Sequence, residues 1–206
     1  YILREKKANG TLPANGALVE TIVTTDMAKA IAKAYGVKLI EVLTGFKYIG
    51  EQIKFFEQQN SYEYVFGLEE SYGCLAGTYA RDKDACVAVM MLCEVAAWCK
   101  SNGITLWDDM LSLYGKYGYY KEGLETMTLK GMDGAEKIQS MMNEMRNNPP
   151  KKIGAWDVLA LRDYKKDTRT DMTGGEVTPT GLPESNVLYY ELSNNAWCCV
   201  RPSGTE

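Results

Sequence analysis

The sequence predicts an α/β chain: a three-layer α/β sandwich domain, with a mixed sheet between helices, over residues 1–122, then a small, truncated α+β domain over 123–206. Three observations predict it. Strand-like and helix-like segments alternate through the first half, the order that builds layered α/β folds. Past residue 122 the texture changes to one helix followed by strand-like runs around a polar stretch. The chain then closes on a strand running into RPSGTE, an unfinished turn that a further strand or helix would normally complete.

YILREKK reads as the last turns of a helix entered midway, with a portion expected upstream, and TLPANG breaks it. ALVETIV, rich in β-branched residues, is a buried strand. Thr25 and Asp26 supply capping chemistry for MAKAIAKAY, Gly36 is placed to end that helix, and VKLIEV is the next strand. LTG turns into the amphipathic helix FKYIGEQIKFFEQQ. The alternating YEYVFGL is a third strand, running into the polar loop EESYGCLAGTYAR. From Asp82 to Asn102 the chain is apolar nearly all round, which predicts a helix capped by Asp82 and buried on several sides. Gly103 stops it, and Thr105 with Asp108 resembles a capping box for LWDDMLSLYGKYG.

In the second segment ETMTLKG is strand-like, a helix runs from Asp133 to Arg146, and NNPP breaks it. The stretch KKDTRTDMTGGEVTPTGLPESN, rich in Thr, Gly and Pro, predicts a mobile, exposed loop. NVLYYEL, SNNA and WCCV form a hairpin delivering RPSGTE.

Composition narrows the chemistry. A formal net charge of -4 offers no concentrated basic surface for nucleic acid, although a few cations converging on a pocket still hold a small anion. The chain has no histidine, which removes Ser-His triads, Cys-His pairs and imidazole-bound metals; acid-base work falls to carboxylates, Lys or Tyr. Six cysteines without a CxxC pair, three of them in one apolar helix, read as reduced core residues and point to a cytoplasmic location. No signal peptide opens the chain and no apolar run reaches membrane-spanning length, so no membrane partner is expected.

Four strand-end segments carry candidate chemistry. Arg201-Pro202-Ser203-Gly204-Thr205 has the parts of an anion cradle: a guanidinium, two hydroxyls, and a glycine that lets backbone N–H groups turn inward. Read alone, it is first an arginine at a strand end followed by an ordinary turn. Glu69 and Ser71, in a glycine-bounded loop straight after a strand, suit polyol recognition, because a carboxylate only accepts hydrogen bonds and so discriminates sugar hydroxyls. A solvated acidic turn has the same residues. Thr44 and Gly45 end another strand, and Lys83 stands at the head of the long helix, either solvated or facing a phosphate.

TGFKYIGEQI, GLEESYGCLAGTYARDKDA and RPSGTE, in this order, resemble the alpha-D-phosphohexomutase family, the phosphoglucomutases and phosphomannomutases. The resemblance covers essentially the whole chain and implies the third of four domains plus most of the fourth. It implies an enzyme that interconverts hexose 1-phosphate and 6-phosphate through a phosphoserine and a glucose 1,6-bisphosphate-type intermediate, with Mg²⁺ held by an Asp-rich loop. Neither the serine loop nor an Asp-x-Asp-x-Asp run occurs here, so the missing N-terminal domains of the same polypeptide become the expected partner and this part alone is expected to be inactive.

By the same resemblance Glu69 and Ser71 bind sugar hydroxyls, Thr44 and Gly45 face the same sugar, and Lys83 lines the cleft near the transferring group as the one candidate catalytic residue. Glu70 is the variable position between the two sugar ligands. Arg201, Ser203, Gly204 and Thr205 grip the phosphate that is not transferred. Many relatives carry histidines where Phe46 and Tyr72-Gly73 stand here, which leaves glucose, mannose and pentose phosphates open, as well as a non-catalytic sugar-phosphate-binding module.

Overall fold

A computed structural model describes residues 1–203 of the 206. The chain divides into two compact units, Tyr1–Gly123 and Leu124–Glu206.

The first unit runs α1 (Ile2–Ala8), β1 (Gly16–Thr21), α2 (Asp26–Tyr35), β2 (Lys38–Val42), α3 (Phe46–Gln59), β3 (Glu63–Leu68), β4 (Cys74–Leu75), α4 (Ala85–Ser101) and α5 (Leu106–Tyr117). Its sheet has the order β2-β1-β3-β4, with β1 parallel to both β2 and β3 and the short β4 antiparallel to β3. Alternate residues of each strand face opposite sides. Ala17, Val19, Val42 and Tyr64 pack against Phe46, Ile49, Ile53 and Phe56 of α3. On the other side Leu18, Leu39 and Val65 meet Leu3 of α1 and Ile31, Ala32 and Tyr35 of α2. The result is the mixed sheet between helices that the alternation of segments predicts.

Local chemistry sets the helix limits. The Thr25 hydroxyl accepts from the Met27 N–H to start α2, and Gly36, at φ 69°, closes it in the left-handed conformation. Thr105 and Asp108 form a reciprocal capping box at α5. The long helix departs from expectation. It starts at Ala85, capped by Asp84, whose carboxylate accepts from the Val87 N–H, while Asp82 lies upstream of the helix. Nor is it buried: only Cys99 is fully covered, and Val89, Met90 and Leu92 are 63%, 58% and 59% exposed. An all-round apolar sequence reports the solvent preference of a helix, but not whether anything covers it. Cys86 and Cys93 are likewise exposed on α4, against the core expectation for the cysteines. Among the described residues no single helix is long and apolar enough to cross a membrane.

The second unit runs α6 (Gly131–Asn147), β5 (Lys152–Ile153), β6 (Trp156–Asp163), β7 (Thr168–Asp171), β8 (Val177–Thr178), β9 (Leu188–Leu192) and β10 (Trp197–Val200). Its antiparallel sheet has the order β10-β9-β6-β7-β8, with β5 paired to β6. Met142 and Met145 of α6 pack on Val158, Leu161, Leu188, Tyr190 and Leu192. Arg146 of α6 is buried and bonds both carboxylate oxygens of Asp163 at 3.0–3.1 Å and the Asn186 side chain at 2.7 Å.

Two sequence expectations fail in this unit. ETMTLKG forms no strand and pairs with none among the described residues; its Met127, and Leu124 just before it, stand exposed. The polar stretch expected to be a mobile loop contains β7 and β8. It is pinned by Asp171, which accepts from the backbone of Thr173 and Gly174, and by Asp167, which accepts from the backbone of Thr180 and Gly181. Hydrogen bonding from the Thr173 hydroxyl, then from the Gly174 and Thr173 N–H groups, lowers the Asp171 carboxyl to about 2. Short polar side chains satisfied locally leave little apolar signal to read.

Candidate functional site

Because β1, β2 and β3 are parallel, their C-terminal ends share one edge of the first sheet, where ligands of α/β folds bind. Five of the sequence-predicted residues stand at or beside that edge. Thr44 and Gly45 follow β2; Glu69 and Ser71 follow β3; Lys83 arrives on the segment between β4 and α4.

The centre of the arrangement is an ion pair. Glu69 is buried, and its Oε1 lies 3.3 Å from the Lys83 Nζ, whose side chain is half exposed. The Lys83 ammonium also lies 5.8 Å from the centre of the Phe46 ring, within reach of a cation–π attraction. Gly73 is needed at this point, since a Cβ there would overlap the Glu69 carboxylate and the Lys83 stem. Ser71 is exposed at the loop tip.

Gly45 has φ 118°, a conformation that side chains rarely adopt, and it opens α3 without a side-chain cap. Next to it the Thr44 Oγ1 is buried with no hydrogen-bond partner among the described residues. Further along α3, Gly50 lies against the Arg81 carbonyl so closely that any Cβ would overlap that backbone. Arg81 in turn pairs with Glu57 of α3 at 2.7 Å.

The neighbouring strand end carries residues that the sequence reading passed over. The Thr21 hydroxyl donates to Glu70 Oε2 at 2.7 Å and lies 2.9 Å from the Thr24 hydroxyl. Glu70, read as merely variable, therefore ties the loop after β3 to the end of β1. Glu20 is 1% exposed, and one of its oxygens has no partner among the described residues. Burial, then the charge of Glu41 beside it on β2, pushes its carboxyl up to about 8, against the pull of Lys29. Position in the strand was the available signal: all three precede or follow the end of an apolar run, where side chains reach the sheet edge.

In the second unit Arg201 and Ser203 follow β10 and are exposed. Gly204 and Thr205 lie outside the described residues. Among the described residues no group of three or more His, Cys, Asp or Glu side chains converges to hold a metal ion.

Comparison with known proteins agrees with this layout. The family described as phosphoglucomutase/phosphomannomutase, alpha/beta/alpha domain III, matches residues 1–117. A phosphoglucomutase of Staphylococcus epidermidis is 35% identical over 203 residues, covering 98% of this chain and 36% of that protein. A phosphoglucomutase of Staphylococcus aureus is 34% identical over 189 residues, covering 92% of this chain and 34% of that protein. The chain thus spans about a third of the length of the curated relatives it matches. Among solved structures, the open form of the Paramecium exocytosis-sensitive phosphoprotein parafusin, a phosphoglucomutase, shares the fold at a TM-score of 0.55 and 17% identity, over 92% of this chain and 31% of that one. With the family matched over more than half its length, this chain belongs to the phosphoglucomutase/phosphomannomutase family.

Proposed function

We propose that this chain is the sugar-phosphate-recognising part of a phosphoglucomutase-type enzyme that interconverts hexose 1-phosphate and 6-phosphate. The observation that carries the reading is the Glu69–Lys83 pair, a buried carboxylate and a half-exposed ammonium 3.3 Å apart at the ligand edge of the sheet. Glu69 accepts hydrogen bonds from sugar hydroxyls, and Ser71, exposed beside it, both donates and accepts. Thr44, whose buried hydroxyl lacks a partner among the described residues, gains one when a sugar oxygen reaches it. Lys83 balances Glu69 in the free chain, and a phosphoryl oxygen competes with that carboxylate for its ammonium.

Arg201 and Ser203, with Gly204 and Thr205 beyond the described residues, hold the phosphate that is not transferred. Binding energy from that remote group orients the sugar for the reacting one. The phosphoserine, the Mg²⁺ that would neutralise phosphoryl charge, and turnover of a glucose 1,6-bisphosphate-type intermediate belong in this reading to other parts of a longer polypeptide. Among the described residues no cluster of acidic or thiol side chains converges to hold that ion, and in this reading the chain needs those other parts for turnover. Cytoplasmic location is part of the same reading, resting on cysteine spacing.

The test is calorimetric titration of the chain with glucose 1-phosphate, glucose 6-phosphate and mannose 1-phosphate, repeated with Glu69→Ala and Arg201→Ala. Saturable binding that both substitutions weaken by tenfold or more, about 1.4 kcal/mol, supports the reading. Binding unaffected by either substitution removes it. A preference for the mannose compound moves the substrate within the family without changing the site.

A further inference from the structure

Resting on the sugar-phosphate reading of this site, we propose that Tyr72 is a specificity-determining residue whose ring stacks on the apolar C–H face of a pyranose. The inference comes from a conflict between backbone and side chain. The pairs Gly67–Leu75 and Leu68–Cys74 join β3 to β4, and the Glu69 N–H donates to the Gly73 carbonyl at 2.9 Å. That closes a three-residue hairpin loop, Glu70-Ser71-Tyr72. Such loops put their last residue in the left-handed conformation, which favours glycine or asparagine. Here that position, at φ 64°, holds a tyrosine. A bulky aromatic with positive φ is a true outlier, and outliers of this kind gather at ligand sites.

The ring gains nothing in return from the fold around it. Tyr72 is 98% exposed, so it contributes no core packing to offset its backbone cost. Its neighbours are the residues assigned to the sugar. Ser71 precedes it at the tip, and Gly73 follows it, with the carboxylate of Glu69 and the stem of Lys83 crowding the face where a Cβ would stand. A rigid aromatic with two rotatable bonds, next to a carboxylate and a hydroxyl, has the composition of a carbohydrate subsite. The polar groups read the hydroxyls, and the ring covers the C–H face that they leave.

The experiment compares glucose 1-phosphate with glycerol phosphate, which has the phosphate but no ring, on the chain and its Tyr72→Gly, Tyr72→Phe and Glu69→Ala variants, with a thermal melt of each. Tyr72→Gly is expected to melt no lower than the parent, because glycine tolerates this φ, yet to weaken glucose 1-phosphate binding about tenfold. Glycerol phosphate binding should be unchanged, and Tyr72→Phe should bind as the parent does. If Glu69→Ala loses the sugar phosphate and Tyr72→Gly keeps it, the stacking is wrong and the site reading stands. If neither substitution changes affinity, or the parent chain shows no saturable binding, both fall. An equal loss for glycerol phosphate in Tyr72→Gly also overturns the stacking.

Discussion

Lys83 closes on Glu69 over the bare Cα of Gly73, so the ion pair of the candidate site exists only because residue 73 has no side chain. Gly73→Ala is expected to push the carboxylate and the lysine stem apart. Overpacking of this kind costs about 1–3 kcal/mol. A thermal melt measures that cost, and the sugar-phosphate titration should show weaker binding alongside it. An alanine variant with parental affinity would mean that the pair is not needed in its present geometry.

Glu20 gives the chain a pH-dependent stability of defined sign. Its folded carboxyl titrates near 8, raised from an ordinary value of 4.5 by burial and by Glu41. Between those values the folded chain holds a proton that the unfolded chain has released, so stability falls as pH rises from about 4.5 to about 8. The Glu20→Gln variant lacks this loss. Unfolding free energies from urea titrations at pH 5 to 8.5 should show it matching the parent near pH 5 and exceeding it at pH 8.5, by an amount on the order of a few kcal/mol. A constant difference across that range would show that Glu20 does not titrate there.

The Arg146–Asp163 pair, each side chain 5% exposed, binds α6 to β6 in the second unit. Removing one partner strands the other charge in the interior. Asp163→Ala should therefore cost about 3–5 kcal/mol, while the double change Arg146→Met with Asp163→Leu should cost much less. Urea unfolding followed by Trp156 and Trp197 emission, with Trp98 and Trp107 replaced by phenylalanine, reads this unit alone.

The exposed face of α4 should govern solubility rather than stability. Substituting Met90→Lys and Leu92→Lys, both more than half exposed, is expected to shift stability by no more than about 0.5 kcal/mol each. Light scattering at rising concentration should show less self-association than in the parent. A large drop in melting temperature would mean that these side chains are packed.

At α5 the capping box is open to direct measurement. Thr105→Ala removes the hydroxyl that accepts from the Asp108 N–H at 3.1 Å and should cost about 1 kcal/mol. Asp108→Asn, which keeps an acceptor oxygen, should cost less.

These cases also show which features a sequence exposes. Thr25, Gly36 and the Thr105–Asp108 box were legible because caps are local: the residues that make the contact are two to four apart, and their chemistry names the partner. The strands β1 to β3 were legible because β-branched runs bounded by breakers have few alternatives. The exposure of α4 was not, since burial depends on elements far away in the chain. Nor were β4, β7 and β8: short strands gain their identity from a partner, Leu68 for Cys74 or Arg169 for Thr178, and not from composition. Of the site, Thr44, Gly45, Glu69 and Lys83 fall at the ligand edge of the first sheet, or beside it, on the strength of loop position and family motif. Thr21, Glu20 and the fastening role of Glu70 emerge only once the register places β1 between β2 and β3.

Gly50 and Arg81 bear on how this family could be re-engineered. With helix and backbone in contact, and Glu57 gripping the arginine, the loop that carries Thr44 and Gly45 is bolted to the segment that leads into Lys83. Swapping either stretch by itself between relatives of different sugar preference would leave two surfaces cut to different templates. The transplantable cassette is the whole run from Thr44 to Asp84, moved in one piece.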